Sequence, residues 1–375
     1  MKQGSAARSS PDLELSAAVK HRRLLRESRR KTIGWRLLTW CGAFLFCLAA
    51  TAQVKPSQVE PLLREGQDFL DRGDFSAAAK NFESARQSAP ENKLAWRGLI
   101  LAYLQGKKRA EALEVANQAS GRWPADGEFR HLLGQSLFQN GKNEQAIEEL
   151  RRAAKIDAGR YEVHYDLALV YLSTRQYTLA AQTLERALRL KPNEALAHIL
   201  LGRAYLNTNR TLSAIEQFRT ALRLDPGVPL GHYHLGFAYE SLGRDNEAMA
   251  EFKKELALRQ NEPEVHYRLG HILAESGQSQ AAVASLREAI RLAPEHAEAH
   301  YDLGKALLDL GRTEEAIRML QRSAALNPDS PSPYYLLGRA FEKLQRKGEA
   351  AKAFEQFAAL KKKQAATGGM AYRPH

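Results

Sequence analysis

The sequence predicts an all-α protein, a stack of about nine helical hairpins, and three observations carry that reading. His164, His198, His232, His266 and His300 stand 34 residues apart, as do Gly202, Gly236, Gly270, Gly304 and Gly338. Prolines keep the same register at Pro90 and Pro124, Pro192 and Pro226, Pro294 and Pro328. Within one period the apolar residues recur at helical spacing, three, four and seven residues apart. A fixed period of this length means repeated units that bury their apolar faces against one another.

The elements come in chain order. Residues 1–52 hold ten basic residues against three acids, so +7 of the formal net charge of +12 lies in the leader. Leu37 to Ala52 then runs sixteen residues without a charge, behind Arg29, Arg30, Lys31 and Arg36. A basic flank, an apolar stretch and small residues at its end is the order of an export signal, and Ala50 and Ala52 before Gln53 fit a cleavage site. Sixteen residues rise only about 24 Å as a helix, short of a hydrocarbon core of about 30 Å. Cleavage after Ala52 is therefore expected, with the chain exported, periplasmic or secreted. The competing expectation is an uncleaved anchor over residues 33–52, with Arg36 reaching to the interface. In both, residues 1–36 form a basic, mostly disordered n-region on the cytoplasmic side and the repeats end up outside the cytoplasm.

After a short linker at 53–58 come nine units without insertion, at 59–92, 93–126, 127–160, 161–194, 195–228, 229–262, 263–296, 297–330 and 331–364. In the unit starting at Ala195, His198, Leu201, Gly202 and Tyr205 share one helix face, and Ala214, Phe218 and Ala221 share a face of a second helix. Asn207 to Arg210 is the turn between them, and Pro226 closes the second helix because it lacks an amide donor. Glycine at the eighth place lets the two helices approach closely, at a helix-propensity cost of ~1 kcal/mol relative to Ala. The residues from 365 to 375 read as a flexible tail.

This pattern resembles the tetratricopeptide repeat family. Trp96 with Leu99 and Tyr103, Leu133-Gly134, and His232, Leu235-Gly236 and Tyr239 with Ala248 and Phe252 carry the likeness, which spans residues 59–364. Departures sit at Glu65, Ile100, Ala158 and Gln260. The resemblance implies a right-handed superhelical solenoid whose concave groove is lined by the first helix of each hairpin. It also implies a non-enzymatic scaffold for a protein or peptide partner in the cell envelope or outside the cytoplasm. The alternative is an accessory subunit that presents substrates to a separate envelope enzyme or export machine.

Carried onto this sequence, the groove places give Leu101, Leu104, Phe138, Tyr165, Leu169 and Leu172 as partner-binding candidates in the first half. Arg203, Tyr233, Tyr267, His271, Tyr301, Lys305, Tyr335 and Arg339 are the candidates further on. The first stretch is apolar and the second mixes tyrosines with cations, so the expected partner segment is apolar at one end and acidic or aromatic at the other. No chaperone carboxylate clamp is expected, because the asparagines of that site are missing from the sixth and ninth places.

Other signals reduce to the repeat. The histidine ladder occupies places that the family fills with bulky core residues, and ligands on successive hairpins about 10 Å apart cannot share one ion, so no metal is expected. His296 and His300 have zincin spacing but lack the Glu after the first His. Both cysteines, Cys41 and Cys47, lie in the leader, which excludes a disulfide framework for the repeats. Glu128, Glu162, Glu264 and Glu298 sit in first helical turns and complement helix dipoles. With no phosphate loop, nucleophile elbow or carboxylate pair, neither catalysis nor a cofactor is expected, and the repeats are too close to neutral for a nucleic-acid partner. Phe354 and Phe357 near the end leave self-association open.

Overall fold

The computed structural model describes residues 59–370, and every regular element among them is a helix. The chain falls into two compact units, divided in sequence between Leu224 and Asp225. The first unit holds α1 (Val59–Arg72), α2 (Phe75–Ser88), α3 (Lys93–Gln105), α4 (Arg109–Arg122), α5 (Gly127–Gln139), α6 (Asn143–Ile156), α7 (Tyr161–Ser173), α8 (Tyr177–Leu190), α9 (Ala195–Leu206) and α10 (Thr211–Leu224). The second holds α11 (Gly231–Glu240), α12 (Asp245–Leu258), α13 (Pro263–Glu275), α14 (Ser279–Leu292), α15 (Ala297–Asp309), α16 (Thr313–Leu326), α17 (Ser332–Lys343) and α18 (Lys347–Met370). Within each unit successive helices pack as antiparallel hairpins, each second helix packs on the next first helix, and first helices also touch one another. Each unit is thus a stretch of helical solenoid.

A steric match sets the hairpins. The eighth-place glycine faces the residue at the twenty-fourth place so closely that a methyl group would collide with it. A Cβ on Gly202 would lie 2.4 Å from the Phe218 ring, one on Gly236 2.6 Å from Phe252 and one on Gly304 2.7 Å from Leu320. The second hairpin inverts the sizes, with Ile100 and Ala116 at those two places, both fully buried. Phe218, Phe252 and Leu320 are themselves fully buried.

The turn inside each hairpin is equally regular. One residue with positive φ comes after the first helix in all nine, and it is glycine in five of them, from Gly73 to Gly311. Lys107, Arg175, Asn209 and Gln345 adopt the same conformation at φ near 58° despite their side chains. The next amide then bonds back to a carbonyl of the first helix, as Arg312 does to Leu307 at 2.8 Å. That arrangement satisfies a helix-end carbonyl that would otherwise be orphaned. Every second helix begins at the seventeenth place, so the turn fixes the register of the second helix against the first.

Two expectations meet the structure differently. Residues 365–370, expected within a flexible tail, instead belong to α18, which runs on through the good helix formers Lys361 to Ala366 and past Gly368 and Gly369 to Met370. Lys363 and Gln364 also reach back to Asp329, at 2.8 Å and 3.3 Å. Phe357 occupies a place that is Ala in most hairpins, and it packs on Tyr335 at 5.4 Å, filling space at the last hairpin of the array. The leader, including Ala50, Ala52 and Gln53, lies outside the described residues. Among the described residues no helix is long and apolar enough to cross a membrane.

The core account makes a direct contrast. Phe218→Ala should cost about 3–5 kcal/mol, because it empties the volume that Gly202 exists to admit. Leu212→Ala, at a side chain that is 68% exposed, should stay within about 0.5 kcal/mol. Denaturant unfolding of the two variants checks both.

Candidate partner-binding groove

The first helices are anchored by a recurrent bond from the fourth place. Trp96 Nε1 donates to the Pro90 carbonyl at 2.8 Å and Arg130 Nε to Pro124 at 2.8 Å. His164, His198, His266 and His300 use Nε2 in the same way toward Ala158, Pro192, Gln260 and Pro294, at 2.9 to 3.0 Å. A carbonyl only accepts, so each of these rings carries its proton on Nε2. Four histidines of the ladder therefore tie their first helices to the loop before, while His232 bonds Glu251 instead, at 2.6 Å. Imidazole, indole and guanidinium share that one capability, an N–H at the end of a flat side chain.

In the first unit the expected groove splits. Leu104, Tyr165, Leu169 and Leu172 are buried within the fold and present no surface to a partner, a correction to the sequence map. Leu101, Phe138 and Arg203 are half-buried and remain on the face, joined by Leu94, which is 58% exposed. Polar side chains there bind one another: His131 Nε2 lies 2.7 Å from Asp166 and Gln135 donates to the same carboxylate. Glu128 accepts from Arg97 at 2.8 Å and Arg160 at 3.2 Å.

The second unit repeats the theme with stronger charges. Arg268 donates to Glu264 at 2.9 Å and Glu240 at 3.2 Å, and its guanidinium lies 4.6 Å from the centre of the Phe237 ring. Burial pushes the Glu240 carboxyl up, against the pull of Arg268. Burial pushes Tyr233 up to about 12. His271 Nδ1 sits 2.8 Å from Asp302, and Lys305 donates to Glu275 at 2.6 Å. Tyr267 lies 4.4 Å from the His296 ring, and Tyr335 stands 42% exposed near the end of the unit. Tyr233, Tyr267, His271, Tyr301 and Lys305 are half-buried, and Arg339 is exposed.

Asp166, Arg268 and Asp302 all stand at the sixth place, which the sequence map left out. Each pairs with a groove residue of the hairpin before it, so most cations and amides expected to meet a partner are engaged inside the array. Their signal was present as charged residues at a place that is Leu in Leu132, Leu200 and Leu336. The second-place acids likewise do more than complement dipoles, since Glu162 also holds Lys191 at 2.7 Å. What remains available is a set of aromatic and aliphatic surfaces framed by balanced charge.

A profile described as the tetratricopeptide repeat matches residues 63–127, 102–162, 131–195, 165–229, 199–263, 267–331 and 301–365. The small glutamine-rich tetratricopeptide repeat-containing protein 2 of Mycosarcoma maydis is 26% identical over 101 residues, which is 27% of this chain and 29% of that protein. The chain thus spans less than a third of that relative. The crystal structure of MamA is 27% identical with a TM-score of 0.43, over 44% of this chain and 97% of that one. The Cut9–Hcn1 hetero-tetramer of APC/C is 19% identical with a TM-score of 0.53, over 78% of this chain and 57% of that one, a likeness of fold alone.

The histidines divide by environment, and their titration tests the geometry. The hydrogen bond to Asp302 holds His271 above the ordinary histidine value, with burial opposing it. Burial holds His164 and His300 below it. Stability from the His271 pair is complete below about pH 6.5 and lost as pH rises through the raised value. At His164 and His300 stability is lost as pH falls below about 6.5, because the unfolded chain takes up the proton first. NMR titration should place His271 above about 6.5 and the other two below it, and the reverse order would contradict the assigned contacts.

Proposed function

The chain belongs to the tetratricopeptide repeat family, and on that premise we propose that it is a non-enzymatic scaffold that captures a protein or peptide segment on its first-helix faces. The observation that carries this reading is the internal pairing of the face's charges. Lys305 with Glu275 and His271 with Asp302 leave Tyr335 and the uncovered parts of the half-buried Tyr267 and Tyr301 as the groups offered outward. Aromatic side chains give large contact area at low entropic cost, which suits them to recognition. The proposed partner segment therefore presents aromatic and aliphatic side chains, and the acidic character expected from sequence gives way because a partner carboxylate would have to displace Glu275 or Asp302.

The leader supports a location for this activity. The basic residues before Leu37 and the small ones at Ala50 and Ala52 favour export, with the repeats outside the cytoplasm. N-terminal sequencing of protein recovered from its host should begin at Gln53, whereas an intact leader would assign it to a membrane anchor.

Partner capture by crosslinking in the native host, followed by mass spectrometry, identifies the segment and measures the face. Replacing Tyr267, Tyr301 and Lys305 together by Ala should weaken capture at least tenfold, about 1.4 kcal/mol. Lys305→Ala alone should change it less than about threefold, since that ammonium is already held by Glu275. Equal capture by the triple variant and the parent chain would remove the groove from the account.

A further inference from the structure

Hairpin six breaks the regularity of the others at a single buried carboxylate. The twenty-seventh place is Ala85, Ala119, Ala153, Ala187, Ala221 and Ala289 in six hairpins, every one of them fully buried. In hairpin six it is Glu255, with a relative exposure of 0%. A fully buried charged side chain at a place that holds a methyl group in six hairpins needs both room and partners.

Both are present. Room comes with α11, which starts at Gly231, two residues later than the first-place start of most first helices. Partners come from two directions. Glu255 Oε2 accepts the Tyr233 amide at 3.2 Å, and Oε1 accepts from Arg259 Nη1 at 2.7 Å. Arg259 Nη2 also donates to the Gly227 carbonyl at 2.6 Å, so the pair grips the loop as well as the helix.

The loop before α11, like those before α7, α9, α13 and α17, supplies no side-chain cap of its own. Asn92 and Asp126 cap α3 and α5 with their own side chains, but the residue before α11 is Leu230, whose side chain cannot accept a bond. Leu230 is also left-handed, at φ 57°, a conformation costly for a branched side chain. Val228, in the register of Asn92 and Asp126, is 1% exposed and carries no acceptor. Residues 225–230 turn on backbone bonds, Val228 to Asp225 at 3.0 Å and Gly231 to Val228 at 3.1 Å, and on the Asp225 carboxylate, which accepts the Gly227 amide at 2.9 Å.

We infer that Glu255 is the positioning residue of hairpin six: it caps α11 from α12 through the Tyr233 amide, holds the helix short and so fixes Tyr233 on the first-helix face. The device gives one groove tyrosine a backbone anchor distinct from those of Tyr267 and Tyr301. Its relevance to partner capture rests on the groove reading, but the anchor itself does not. The buried pair serves conformational specificity, the best-attested reason to retain such a pair in a core.

Peptide-resolved hydrogen exchange of the full chain, without a partner, tests the anchor independently of binding. Glu255→Ala should accelerate exchange in residues 228–234 at least tenfold while residues 263–326 keep their rates. Glu255→Gln, which retains an acceptor oxygen, should keep residues 228–234 within about threefold of the parent chain, since neutral hydrogen bonds are weaker but still made. Unchanged exchange in Glu255→Ala would overturn the inference. So would acceleration spread evenly through residue 326, or a Gln variant that behaves like the Ala variant.

Discussion

The fit of a small residue against a large side chain, glycine being the small one in seven of the nine hairpins, is the constraint on which the rest depends. It sets how near two helices lie, and every later contact inherits that distance. The gap at Gly202, Gly236 or Gly304 will not accept even a methyl group, which sets the spacing of those hairpins, while hairpin four places the methyl of Ala168 against Leu184. The inverted pair Ile100 and Ala116 indicates that summed volume is conserved rather than glycine as such, as close packing requires.

Within each unit, this spacing brings first helices into contact, with two consequences for the face. Apolar side chains such as Tyr165 and Leu172 are drawn into the fold, and polar ones find partners about one repeat away. Pairs such as His271 with Asp302 and Gln135 with Asp166 act as ties between hairpins. The face keeps its aromatic surfaces while its charges are balanced, a combination that favours recognition by shape and apolar contact over attraction of opposite charge.

The repeat was legible because identical contacts recur at identical places, so the sequence carries the same answer nine times. Helix starts, the eighth-place glycine and the fourth-place histidines all came through for that reason. Pairings between hairpins were less visible, since Asp166, Arg268 and Asp302 act only once the spacing brings them to a neighbour. Burial of Leu104 and Tyr165 was hidden for the same reason: place in the register does not say how far a neighbouring helix covers it. Glu255 was in plain view at a place held by alanine in six hairpins, yet its role depended on the shortening of α11. What the sequence withheld was thus geometry across hairpins, while geometry within them was readable.

Exchanging the two sizes in one hairpin tests the central claim most directly. In hairpin eight, Gly304→Ile and Leu320→Ala would recreate the arrangement of Ile100 and Ala116, and hydrogen exchange in α15 and α16 reads the local stability of each variant. The account predicts that each single change destabilises the hairpin by at least about 2 kcal/mol and that the double variant recovers at least about 1 kcal/mol of the summed loss. Strictly additive losses would contradict it, because they would mean that the two places do not share one volume.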